Sequence, residues 1–110
     1  MIKISLMYPH SENGRFDIDY YVNKHAPWAR KLMGAALKGF GIEHGVSGRE
    51  PGSDPIYVAF ANLYFDSVDD FKSSYGPNAS EIQSDIPNYT DIQPIMQISQ
   101  VKDTHVPRMT

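Results

Sequence analysis

Residues 56–65 read IYVAFANLYF, the strongest strand signal in the 110-residue chain, rich in β-branched and aromatic side chains. Alternation puts Val58, Phe60, Asn62 and Tyr64 on one side and Ala59, Ala61, Leu63 and Phe65 on the other, so both faces of this strand need cover. The small alanines leave room for a helix to pack closely on theirs. Upstream, REPGSDP (49–55) supplies turn formers, and Leu37 to Ser47 reads as the preceding strand. There Phe40, Ile42, His44 and Val46 share one face and Gly39, Gly41, Glu43 and Gly45 the other, a glycine content that predicts a bulge or a close backbone approach. Downstream, Ser67 followed three residues later by Asp70 resembles a capping box and opens a helix with Val68, Phe71 and Tyr75 on its buried side. Gly76-Pro77 breaks that helix, and a short continuation from Ala79 to Ile86 stops at Pro87.

Towards the ends, Ile2 to Tyr8 alternates as a half-buried strand, and Ile92 to Val101 reads as a last strand whose Pro94 belongs at an edge or a bulge. Between the first two strands lies FDIDYYVNKHAPWARKLM (16–33), a helix running from Asp17 to about Gly34. Tyr20, Trp28 and Leu32 fall on one stripe of it, and Tyr21, His25 and Trp28 on an overlapping one. Pro27 has no N–H to give the carbonyl of Asn23, which predicts that the helix kinks or restarts just as His25 leaves the packed stripe.

Strand, helix, strand, strand, helix, strand is the split βαβ order of an α+β, ferredoxin-like domain: an antiparallel sheet with two helices on one face. Residues 1–102 form this domain, and 103–110 read as a tail laid over a partner. Two helices cover one face only. With Phe40, Ile42 and Val46 assigned to the other face beside strand 56–65, a single copy leaves a broad apolar sheet in water, which predicts a homodimer burying on the order of 2,000 Å² or more. That packing leaves a cleft able to hold a ligand.

Ten basic against thirteen acidic residues give a formal charge of -3, and no basic run recommends a nucleic acid or an anionic membrane. Small neutral ligands suit the chain better. Without cysteine there is no disulfide, thiolate nucleophile or cysteine-held metal. No apolar stretch is long enough to cross a bilayer and no secretory pattern opens the chain, so a cytoplasmic location is expected. No two histidines have the close spacing of a metal motif, and no metal or cofactor is expected.

His25 is the best chemical candidate, since an imidazole exchanges a proton near neutral pH, and Tyr21 one turn back can orient it or hold a substrate oxygen. The competing role for His25 is a hydrogen bond to backbone that merely ends the helix. Trp28, three residues on, is the aromatic most suited to a pocket wall; the other aromatics read as core. His44 with Phe40, and Asn62 with Phe60, suit isolated polar groups in an apolar ligand pocket, or else an exposed strand end and a cross-sheet pair. Asp85 and Asp91, which flank Asn88-Tyr89-Thr90, read as turn-capping carboxylates, the competing role being a pair that shares acid and base duties.

Three segments, FDIDYYVNKHAPW (16–28), LYFDSVDDF (63–71) and DIPNYTDIQP (85–94), together resemble the EthD family, named for ethyl tert-butyl ether degradation. The resemblance implies a dimeric α+β barrel and directs attention to Phe16, Tyr20, Tyr21, His25 and Pro27, and to Asp85, Pro87, Thr90 and Asp91. Relatives in the wider superfamily include cofactor-free monooxygenases, polyketide cyclases, lactone isomerases and haem-using enzymes; the thiol-assisted isomerases among them have no counterpart in a chain without cysteine. Three functions are consistent with this reading. One is a cofactor-independent catabolic lyase, isomerase, cyclase or monooxygenase using His25 as general acid or base on a small hydrophobic, oxygen-bearing molecule. The second is a non-catalytic, ligand-binding accessory of an ether or xenobiotic degradation system, and the third is haem binding through His25 or His44.

Overall fold

Strand β3 (Tyr57–Phe65) lies inside a four-stranded antiparallel sheet of order β2-β3-β1-β4, with β1 at Ile2–Pro9, β2 at Gly39–His44 and β4 at Ile95–Gln100. This computed structural model describes residues 1–105. Between β1 and β2 the chain forms α1 (Ile18–Tyr20), a π-helical turn (Tyr21–His25) and α2 (Ala26–Met33); after β3 come α3 (Val68–Tyr75) and α4 (Ala79–Ser84). The fold is the expected α+β, ferredoxin-like one. Ile4, Tyr8, Ala59, Ala61, Leu63 and Phe65 from the sheet meet Tyr21, Ala29 and Met33 from the first helical segment and Phe71 and Ile82 from the second. No helix among the described residues is long and apolar enough to cross a membrane.

Strand register corrects the assignment of faces. Phe40 pairs with Leu63 and Ile42 with Ala61, so both point to the helix side of the sheet, not to its bare side, while Val46 lies beyond the end of β2 and is exposed. The bare side is built of three rows: Glu43, Phe60, Met7 and Ile95; Gly41, Asn62, Ser5 and Gln97; Gly39, Tyr64, Lys3 and Ser99. Its centre is polar. Ser5 Oγ donates to Asn62 Oδ1 at 3.3 Å and Asn62 Nδ2 to Glu43 Oε1 at 3.4 Å. The broad apolar face expected there is therefore confined to one row. Exposed apolar side chains gather instead on the edge strand β4, at Ile95, Met96 and Ile98.

Glycine in β2 does not produce a bulge. At Gly39 a Cβ would lie 3.1 Å from the Tyr64 ring, so its absence lets that ring lie over the strand, and the close backbone approach comes at Gly45, where a Cβ would collide with the Tyr57 carbonyl. The helix after Ser67 starts as anticipated, Ser67 Oγ accepting from the Asp70 N–H at 3.1 Å. Strand β4 begins at Ile95, after Pro94 rather than around it, because proline has no N–H for the ladder. The tail assigned to 103–110 lies outside the described residues beyond His105.

At Pro27 the first helical segment restarts, as one of the two expected outcomes: α2 begins at Ala26 with proline in its first turn. The chain widens by one residue over Tyr21–His25, the Ala26 N–H bonding to the Tyr21 carbonyl five residues back, and α2 then runs regularly to Gly34, whose φ of 74° ends it. The extra residue changes which side chains are buried. Tyr21, His25, Ala29 and Met33 form the inner stripe, and the expected Tyr20, Trp28, Leu32 stripe is only half-buried beside it.

Candidate functional site

A segment remote in sequence is sewn to the start of the first helix. The Asp17 N–H donates to the Tyr89 carbonyl at 2.7 Å, Thr90 Oγ1 to the Arg15 carbonyl at 2.6 Å, and Arg15 Nη2 to the Pro87 carbonyl at 2.7 Å. Asp91, read as a turn cap, takes the Arg15 N–H at 2.8 Å. These bonds hold the 3₁₀ turn Ile86–Asn88 and its leading residue Asp85 against the π-helical turn.

Asp85 does not cap that turn; its carboxylate faces the helix. His25 Nδ1 lies 2.8 Å from Asp85 Oδ2, while Tyr20 Oη and Asn88 Nδ2 each donate to Oδ1 at 2.8 Å. Burial works against the Asp85 charge, but the hydrogen bonds from Asn88, His25 and Tyr20 outweigh it and hold the carboxyl below its ordinary range. Asp85 is thus ionised at neutral pH and can only accept, which assigns the proton of neutral His25 to Nδ1. Burial lowers the His25 pKa, and the Asp85 carboxylate opposes this only in part, so the imidazole is neutral at pH 7. Nε2 has no hydrogen-bond partner among the described residues. As no buried polar side-chain atom among them lacks a partner, Nε2 retains access to open space.

His25 also lines a cavity of about 660 Å³ between the helix side of the sheet and the helices. Leu6, Phe40, Leu63 and Met96 contribute from the strands, Ala29 and Met33 from α2, and Phe71 and Ile82 from the second helical segment. His25 lines it together with Tyr8, Tyr21 and Tyr89, and Gln83, Thr90, Asp91 and Gln93 add further polar groups. The Tyr89 ring centre is 4.6 Å from that of His25, and Tyr21 stacks on the imidazole at 5.3 Å and 14°. Among the described residues no group of three or more His, Asp or Glu side chains is arranged to hold a metal.

Of the residues singled out by sequence, the structure brings His25, Tyr21 and Phe40 to this cavity. Tyr21 meets the imidazole by its ring face, not through its hydroxyl. Trp28 lies edge-on to His25 at 5.9 Å on the outer flank, outside the lining. His44 shares the face of Phe40 but stands exposed at the end of β2, whereas Asn62 and Phe60 lie on the opposite side of the sheet. Asp85, Tyr8 and Tyr89 join the site although their sequence contexts are those of a cap and of core. The alternation of β1 already put Tyr8 on the inner face, and the resemblance had already drawn attention to Asp85.

A sequence profile described as the EthD domain matches residues 15–93. An EthD-like protein from Ralstonia eutropha JMP134 is 37% identical over 97% of this chain and 96% of that one, with a TM-score of 0.92. An ethyl tert-butyl ether degradation family protein from Bacillus halodurans C-125 superposes with a TM-score of 0.62 at 16% identity, covering 92% of this chain and 98% of its own. HapK from Hahella chejuensis shares the fold at a TM-score of 0.56 and 11% identity, over 98% of this chain and 100% of that one. Among curated proteins none matches the sequence.

Proposed function

The chain belongs to the EthD family, and from that premise we propose that it binds a small apolar, oxygen-bearing molecule in the cavity beneath its helices and uses His25 as a general base upon it. One observation carries this reading: a neutral imidazole, fixed through Nδ1 to an ionised Asp85, keeps Nε2 unpartnered beside a largely apolar cavity of about 660 Å³. Nε2 takes a proton from the bound molecule. Asp85 orients the ring and stabilises the imidazolium that results, Tyr20 and Asn88 hold the carboxylate, and Tyr21 limits rotation of the ring by stacking. The reaction class is lyase, isomerase or cyclase chemistry in a catabolic route, and the part of His25 in it is proton transfer.

Screening small aromatic, lactone and ether compounds for binding and turnover tests this reading. Loss of turnover in His25→Ala with binding retained supports it. Binding by the unaltered protein with no turnover of any bound compound would favour the accessory, ligand-carrying role.

We also propose a homodimer. Its support is the edge strand β4, which exposes Ile95 on one face and Met96 and Ile98 on the other, more apolar surface than an unpartnered edge usually shows.

A further inference from the structure

Tyr8 and Tyr89 come from β1 and from the segment after Ile86–Asn88, and their hydroxyls meet at 3.2 Å with both residues almost fully buried, at 2% and 1% exposure. Each hydroxyl carries one proton, and the bond between them uses only one of the two. The Tyr21 hydroxyl also reaches that of Tyr8, and all three side chains line the cavity; three hydroxyls joined in a row carry three protons for two bonds. One O–H is therefore left over in a largely apolar wall, where an unused donor is costly and an acceptor from a ligand relieves that cost. Burial raises the pKa of both phenols above the ordinary value, so they stay protonated donors through the neutral range.

We propose that this hydroxyl pair receives a substrate carbonyl oxygen, so that the molecule taken by the cavity is a carbonyl compound with an ionisable C–H beside the carbonyl. The inference rests on the reading of His25 as the base and narrows its substrate. The Tyr89 ring lies against the imidazole, so an oxygen seated on the hydroxyls brings its neighbouring carbon to the His25 side of the cavity. In the reaction the C–H bond breaks and its proton passes to His25 Nε2. The freed electron pair becomes a carbon–carbon double bond while the carbonyl π pair moves onto oxygen, and the spare O–H donates to the oxyanion. Return of the proton to a different carbon completes an isomerisation. Attack of the enolate carbon on a second carbonyl of the same molecule, with the imidazolium protonating the new alkoxide, completes a ring closure. Neither route consumes an oxidant. A simple ether cannot carry the developing charge and is not activated by this arrangement.

Acetophenone and α-methylstyrene, in which a methylene replaces the carbonyl oxygen, separate the two readings in NMR titrations of the full chain. The ratio of their affinities in favour of the ketone is expected to fall about tenfold in the double variant Tyr8→Phe with Tyr89→Phe, α-methylstyrene binding being retained. Tyr89→Phe alone, which keeps the ring against His25, is expected to move the ratio in the same direction. An unchanged ratio in both variants overturns the carbonyl site and leaves the cavity reading standing. Failure of the unaltered protein to bind either compound overturns both. If His25→Ala keeps the wild-type ratio, the tyrosine site stands independently of the base.

Discussion

His25 and Asp85 are joined at 2.8 Å although 60 residues separate them in sequence. Replacing Asp85 by Ala removes the acceptor that fixes the proton on Nδ1, and the buried ring then redistributes between its two neutral forms. The ¹⁵N shifts of His25 should show a defined Nδ1–H form in the wild type and a mixture in Asp85→Ala, with about 1–3 kcal/mol lost in chemical denaturation. Asp85→Asn leaves one oxygen for three donors; with that oxygen held by Tyr20 and Asn88 its NH₂ meets Nδ1, so the ring should shift to the Nε2–H form and lose its use as a base.

Acidification should destabilise the fold in two stages. Burial lowers the folded-state pKa of His25 from its ordinary 6.5, with Asp85 pulling the other way. Below about pH 6.5 the unfolded chain therefore binds a proton that the folded chain resists, and stability falls as the pH drops towards the folded value. Lower down, Asp85 acts with the same sign. Burial raises its pKa, but the hydrogen bonds from Asn88, His25 and Tyr20 leave it below 3.8, so its contribution is full above that value and lost beneath it. A Tm profile measured from pH 8 to 3 should decline in both ranges, and His25→Asn should lack the upper decline.

Filling the cavity should separate ligand binding from folding. Ala29, 5% exposed on α2, borders the void, so Ala29→Leu adds three carbons where there is space to receive them. The expected Tm change is within a few degrees of wild type. Affinity for any compound found by screening should drop at least about tenfold, because the added methyl groups compete for the same volume.

Native mass spectrometry should give twice the 12.4 kDa chain mass. Ile98→Lys puts a charge on the edge strand and should shift the mass to that of a single chain at micromolar concentration, with far-UV circular dichroism preserved. A wild-type mass of one chain at high concentration would remove the dimer.

The fold was legible because each strand alternates with a period of two and each helix begins or ends on a residue with an obvious physical role, such as Ser67 or Gly34. The faces were harder to assign. Alternation groups Phe40 with Ile42 but does not say which face of strand 57–65 they join, and the ladder puts them with Leu63 and Ala61 rather than on the side of Phe60. His25 was found because a lone imidazole beside a proline stands out. Its carboxylate partner was not, because Asp85 lies in a stretch whose asparagine, proline and aspartates have the chemistry of an ordinary turn. Only the bonds between residues 15–17 and 87–90 show that this turn is docked on the helix.

The single extra residue in the turn Tyr21–His25 makes the site depend on counting. A regular helix rotates about 100° per residue, so deleting one position there to restore uniform winding would swing Asp17, Tyr20 and Tyr21 by that angle relative to Ala29 and Met33. The aromatic stack and the carboxylate would then face different sides of the segment even though every side chain named above was still present. Spacing as well as residue type therefore sets the arrangement, and homologues are best compared by whether they keep the inserted position before asking whether they keep the histidine.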